Sequence, residues 1–222
     1  MNYALLFIPL AIAILDWISI ARKLTILGYF TNPGVIATLF IWLWFSAGLQ
    51  GALIWFALAL IFSLAGAVFL MLPRERFVAG YVAFLLAQIC YLIGFTSSPA
   101  PINLATLALA GLLLAVAMQN FRRISASLAA NNLEGMIRPV LIYAVVITLM
   151  LLSALLTLVR PEWLPWAALA CSMGGLLYYL SDTFLAWNRF VKPIHNGRLI
   201  VRILYHCGQI LIILGAAIQF GS

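Results

Sequence analysis

Apolar residues run through this chain in long blocks, and the blocks end at charge, proline or glycine. Eight blocks have the length of a bilayer-crossing helix: Tyr3–Ala21, Pro33–Leu49, Gly51–Leu72, Phe77–Phe95, Pro101–Gln119, Pro139–Val159, Trp163–Trp187 and Leu199–Phe220. A hydrocarbon core of about 30 Å takes about 20 apolar residues per helix. Eight such spans consume most of the 222 residues and leave only short connections. The pattern therefore predicts an all-α polytopic membrane protein, a bundle of about eight transmembrane helices forming one domain over residues 1–222. Pro33, Pro101 and Pro139 are placed at helix starts, where a missing N–H costs nothing. Gly48–Gly51 separates the second span, the shortest, from the third. The N-terminus continues apolar from Tyr3 with no charged lead and no cleavage site, and reads as the first span.

Composition closes off the soluble alternative. The chain is 66% hydrophobic and 8% charged, against about 45–50% and 25% in ordinary soluble domains. Its net charge of +7 does not imply nucleic acid, because the cations sit at block edges rather than on one basic face. Arg22, Lys23, Arg74, Arg76, Arg122, Arg123, Arg138, Arg189, Lys192, Arg198 and Arg202 all fall at one end of the predicted bundle, and only Arg160 falls at the other. The positive-inside rule then puts the four basic connections in the cytoplasm and both termini outside, for a multi-pass protein of the cell (inner) membrane. Cys90, Cys171 and Cys207 lie within apolar blocks without a C-x-x-C pair and read as small buried hydrophobes.

Orientation assigns depth to the polar residues inside spans at 1.5 Å per residue. Asp182, Arg202, Tyr205, His206, Gln209, Arg138, Tyr143 and Asp16 crowd toward the basic end, with Gln88 near the middle of the fourth span. Groups of this kind are costly in a membrane and turn toward the bundle interior or a wet cavity. Arg202, Tyr205 and Gln209 share one stripe of the last helix, and His206 lies one step around. The pattern predicts one polar chamber in the basic half. Structural roles remain open beside it: Asp182 bridged to Arg202 or Arg138, Asp16 paired, His206 packed, Gln88 and Gln209 joining helices.

The two halves, about 1–98 and 99–222, match weakly. Asn32-Pro33 corresponds to Arg138-Pro139, Ser63-Leu-Ala-Gly-Ala67 to Tyr179-Leu-Ser-Asp182, and Phe84-Leu-Leu-Ala-Gln88 to Tyr205-His-Cys-Gly-Gln209. The order predicts a 4+4 parallel repeat about an axis along the membrane normal, with Ala67 as the partner position of Asp182.

From Tyr29 through Gln209 the chain resembles the YhhN-like lysoplasmalogenase family, membrane hydrolases that cleave the vinyl ether of lysoplasmalogens. The resemblance rests on Asn32-Pro33, Gly66-Ala67 with Leu72-Pro73, Phe84-Leu-Leu-Ala-Gln88-Ile-Cys-Tyr-Leu, Pro139-Val-Leu-Ile-Tyr143, Ser181-Asp182 with Asn188-Arg189-Phe190, and Tyr205 with Gln209. Three positions depart from the family pattern, which has Lys at Asn32, Asp at Ala67 and often His at Gln88.

The resemblance implies proton delivery to a vinyl carbon, a stabilised oxocarbenium-like cation and addition of water, chemistry suited to carboxyl groups. It implies Asp182, Tyr205 and His206 as catalytic candidates, with Arg138, Tyr143, Asn188, Arg202, Gln209 and Gln88 around the substrate, and Arg138 and Arg202 on the lipid phosphate. The expected partners are a lysophospholipid or ether lipid, with a homodimer or membrane partner also compatible. No cofactor and no metal are expected. Lys23 and Lys192 lie in loops, which excludes a retinal Schiff base, and no ligand spacing suggests zinc. A relative that binds lipid without turnover stays open as the second reading. A transporter would need polar residues in both halves of the membrane, and the non-basic half is apolar.

Overall fold

The computed structural model describes residues 3–72, 76–97, 99 and 101–221, with Tyr3 and Phe77 in their backbone only. Eight α-helices are present among them: α1 (Phe7–Ala21), α2 (Thr25–Ala47), α3 (Leu53–Met71), α4 (Phe77–Phe95), α5 (Leu104–Ala130), α6 (Ile137–Leu156), α7 (Pro165–Phe190) and α8 (Gly197–Phe220). Short 3₁₀ turns precede α1 and flank α6. Seven of the eight are long and apolar enough to cross a membrane once their flanking turns are counted. The remaining one, α7, has the length at 26 residues but carries Ser181, Asp182, Thr183, Asn188 and Arg189 along its second half. Large apolar side chains on the outside, Phe30, Phe45, Leu104 and Trp166 among them, are more than two-thirds exposed, the surface of a lipid-facing bundle rather than a water-facing one.

Helix ends depart from the sequence pattern where proline stood for a start. Pro33 lies inside α2, which begins at Thr25 and runs 23 residues, so the second span is not the shortest. The apolar stretch Ile26–Phe30 continues the helix through the proline, as membrane helices tolerate when neighbours satisfy the freed carbonyl. Pro101 precedes α5, whose true cap is Asn103: its side chain accepts from the Thr106 amide while the Thr106 hydroxyl accepts from the Asn103 amide. Pro139 falls in the first turn of α6. At its other end α5 runs to Ala130, so Arg122 and Arg123 sit on helix rather than in a connection, and Arg123 lies over the Trp187 ring at 5.8 Å. Pro73 and Arg74 lie outside the described residues. The break between α2 and α3 is secured by Gly48 and Gly51 at φ +73° and +54°, a backbone that side chains rarely adopt.

The closest-packed pair is α7 with α8, followed by α3 with α4. Small residues let the α7 and α8 backbones touch. A Cβ on Gly208 would stand 2.9 Å from the Tyr178 amide nitrogen, and one on Gly174 would stand 2.7 Å from that of Ile212. Packing of this kind replaces the hydrophobic drive that lipid removes. A Gly208→Leu substitution is expected to force these helices apart and to lower the thermal unfolding midpoint in detergent by about 4–8 °C, what about 2 kcal/mol of overpacking produces in a domain of this size. An unchanged midpoint would show that the contact does not hold the pair. At the non-basic end, Phe56, Phe95, Trp163 and Phe220 form an edge-to-face cluster with centroids as near as 5.1 Å, and buried Arg160 donates to the Phe95 carbonyl beside it. In the second half of α5, Ile124 and Leu128 meet Val140 of α6 and Phe190 of α7, while Leu113 in its first half touches the main core.

Candidate functional site

Two cavities meet at Asp182. One is an apolar slot of about 110 Å³ bounded by α4 to α7, with Tyr81, Phe84, Ala117, Phe121, Ile124, Tyr143, Ala144 and Ile147 along its walls. The other is a polar cavity of about 460 Å³ between α2, α3, α7 and α8, lined by Thr25, Asn32, Ala67, Met71, Asn188, Arg189, Arg198, Arg202 and Tyr205. Leu70, Phe84, Asp182, Leu185 and Arg189 border both. The polar cavity falls within the size range of small-molecule sites, and its cations lie at the helix ends of the basic side.

Asp182 as a residue is half-buried. Its Oδ2 accepts from the Tyr143 hydroxyl and, at 3.3 Å, from the Gln88 amide nitrogen. Neither of the cations proposed from sequence reaches it. Arg202 instead donates to Oδ2 of Asp16 at 3.1 Å, while Thr31 donates to the other Asp16 oxygen at 2.8 Å. Asp16 is fully buried, so its paired role is the one the structure shows. Arg138 is exposed on the first turn of α6 and borders neither cavity. The reason is rotational: at the position before Pro139 its side chain leaves the face that carries Tyr143 inward. Arg198, four residues before Arg202 on the same α8 face, occupies the cavity wall instead.

His206 is also placed away from the cavities. Its Nδ1 accepts from the Trp17 indole N–H at 3.2 Å, which makes Nε2–H the donor to Asn32 Oδ1, also at 3.2 Å. Both ring nitrogens are therefore engaged, and the ring joins α1, α2 and α8. Gln209 is fully buried with both ends engaged: it accepts from the Tyr91 hydroxyl and donates to Ser63 Oγ at 3.0 Å. Asn188 lines the polar cavity while accepting from the Ile194 amide at 2.8 Å, which folds the turn between α7 and α8. Two polar atoms beside Asp182 stand out against this satisfied background. Gln88 Oε1 and the Tyr205 hydroxyl are buried and have no hydrogen-bond partner among the described residues, each at a typical cost of about 1–3 kcal/mol.

Sequence reasoning missed Arg198 and the pairing of Asp16 with Arg202. The first was readable, since residues 198, 202, 205 and 209 continue one helical stripe. The second joins residues 186 apart in the chain and has no local signature.

A family model described as the YhhN family matches residues 27–216, which contain every cavity residue named above except Thr25. The chain belongs to the YhhN family. Among similar proteins, lysoplasmalogenase TMEM86B of Mus musculus is 30% identical over 219 residues, covering 96% of this chain and 81% of its own length. Lysoplasmalogenase TMEM86B of Sus scrofa is 34% identical, covering 78% of this chain and 65% of its own. The Homo sapiens protein of the same name is 31% identical over 71% of this chain and 61% of its own length. No solved structure matches this YhhN chain.

Proposed function

We propose that this protein is a membrane hydrolase of the lysoplasmalogenase type, cleaving the vinyl ether of a single-chain lysophospholipid to an aldehyde and a glycerophospho-alcohol. The observation that carries this reading is the position of Asp182: a carboxyl without a cation partner among the described residues, at the junction of an apolar slot and an arginine-lined cavity. An amphipathic single-chain lipid places its reacting bond at such a junction, with its tail in the slot and its head group in the cavity. Arg198 and Arg202 suit the phosphate, since guanidinium forks match its geometry, and they take the role that Arg138 is too far out to play. In its protonated form Asp182 delivers a proton to the β-carbon, and positive charge develops on the α-carbon and ether oxygen. Water adds to the α-carbon, and the hemiacetal breaks its C–O bond to release aldehyde and alcohol. Tyr143 holds the carboxyl by Oδ2, and Asp182 lines both cavities. The names of the similar proteins support the same chemistry.

Ala67 and Asn32 line the polar cavity, so among the described residues the site offers one carboxyl, and the second reading, lipid binding without turnover, rests on that observation. One experiment separates the two. Purified protein in detergent micelles, given 1-alkenyl lysophospholipid and its 1-acyl and 1-alkyl counterparts, is expected to release aldehyde from the alkenyl lipid alone. Binding of the lipid with no aldehyde would replace the hydrolase by the binding protein. On the proposed orientation the basic end of the bundle, and with it the polar cavity, faces the cytoplasm.

A further inference from the structure

We propose that Gln88 and Tyr205 seat the water that adds to the substrate, and that Asp182 alone serves first as acid and then as base; this rests on the hydrolase reading above. Gln88 donates its amide nitrogen to Asp182 Oδ2 at 3.3 Å and leaves its buried carbonyl oxygen without a partner among the described residues. Tyr205 lines the polar cavity with its hydroxyl buried and equally without a partner. Both belong to the surroundings of Asp182: Gln88 through its amide, and Tyr205 from the wall of the polar cavity that Asp182 also lines. The contrast with Gln209 is informative, because that amide is bonded at both ends by Tyr91 and Ser63. Buried polar groups are almost always satisfied, and a pair left open beside a carboxyl marks the place of a polar ligand.

A water molecule has the valences this site offers. It accepts from the Tyr205 hydroxyl, donates one hydrogen to Gln88 Oε1 and the other toward Asp182, and keeps one lone pair for the α-carbon. The steps balance with a single carboxyl. Asp182 gives its proton to the β-carbon, the C=C pair forms the new C–H bond, and the ether oxygen shares the resulting positive charge. The seated water then forms the C–O bond at the α-carbon and loses a proton to the Asp182 carboxylate, which restores the acid. Proton donor and proton acceptor act on adjacent carbons, so one carboxyl spans both without a second acid at Ala67.

The test uses full-length protein in micelles with 1-alkenyl lysophospholipid, and adds methanol as a competing nucleophile. Methanol captured by the cation gives a mixed acetal, water gives aldehyde, and both are quantified by mass spectrometry. For Tyr205→Phe and Gln88→Leu, kcat is expected to fall about 10²-fold while KM stays within about threefold, the size of a lost proton-handling contact. A purely structural role would produce that fall without changing which nucleophile wins. With the seat intact, the acetal-to-aldehyde ratio stays below the solvent's methanol-to-water ratio; in the variants it rises at least about fivefold toward it, since the site no longer excludes the competitor. The two variants are independent, and either one that keeps its unfolding midpoint decides the matter. A partition ratio equal to that of the parent overturns the water seat and leaves the hydrolase standing. Absence of aldehyde from the parent overturns both.

Discussion

Asp182→Asn protein is expected to release aldehyde from 1-alkenyl lysophospholipid at least about 10²-fold more slowly than the parent, the usual worth of a positioned general acid. The substitution is close to isosteric. An amide oxygen can still accept from Tyr143 and Gln88, the two groups that hold Oδ2, so the side chain keeps its place and the fold keeps its contacts. What is lost is a group that can give a proton to carbon. The lipid should therefore bind with little change in KM, since slot and cavity walls are untouched, and the loss should fall on kcat. Aldehyde release within about threefold of the parent would remove Asp182 from the chemistry. The burden would then pass to another group on the polar cavity, and among the described residues Asp182 is the one carboxyl that lines it.

The second large effect concerns stability. Arg202→Met is expected to destabilise the bundle by about 3–5 kcal/mol, because it leaves Asp16 buried with an uncompensated charge. Asp16 is fully buried, its partner's side chain is 15% exposed, and the pair ties α1 to α8 at 3.1 Å. Thr31 would satisfy one carboxylate oxygen and leave the other bare. Asp16→Asn together with Arg202→Met removes both charges, and the double variant is expected to recover much of the loss, since replacing a buried pair by neutral groups is often near neutral. Thermal unfolding in detergent, read across the four proteins of this cycle, gives the coupling. Equal losses in Arg202→Met and the double variant would show that the pair carries no coupling. Activity adds a second reading: with Arg202 gone from the cavity wall, KM for the lipid should rise even in the stabilised double variant.

Much of the molecule was legible from residue order. The apolar blocks marked the membrane helices because a bilayer rewards a run of about 20 apolar residues whatever its neighbours are, and the gathering of cations at one end marked the side where polar residues would collect. Asp182, Tyr205, Tyr143 and Gln88 were singled out because polar groups are rare inside such runs, and the first two line the polar cavity while the other two touch Asp182. Other placements turn on rotation about a helix axis, which residue order does not give. Arg138 and Tyr143 are five residues apart on α6, yet one faces outward and the other meets the carboxyl. His206 is next to Tyr205, yet it turns to Trp17 and Asn32 instead of the cavity. Proline misled for a related reason: Pro33 was read as a boundary by local preference, while the apolar residues before it carry α2 through.

Sequence by itself determined the class of protein, the number of helices and the short set of polar side chains inside spans, because each follows from transfer of single residues or short runs between water and lipid. Only tertiary structure decided which acid was spent and which was spared. Asp16 and Asp182 look alike along the chain, and Arg202 lies at a depth to meet either. The crossing of α1 with α8 brings Asp16 to the arginine, while α6 packed against α7 and Gln88 reaching across from α4 give Asp182 only neutral partners among the described residues. Charge pairing depends on distances of a few ångström between residues far apart in the chain, and those distances exist only once the helices are packed.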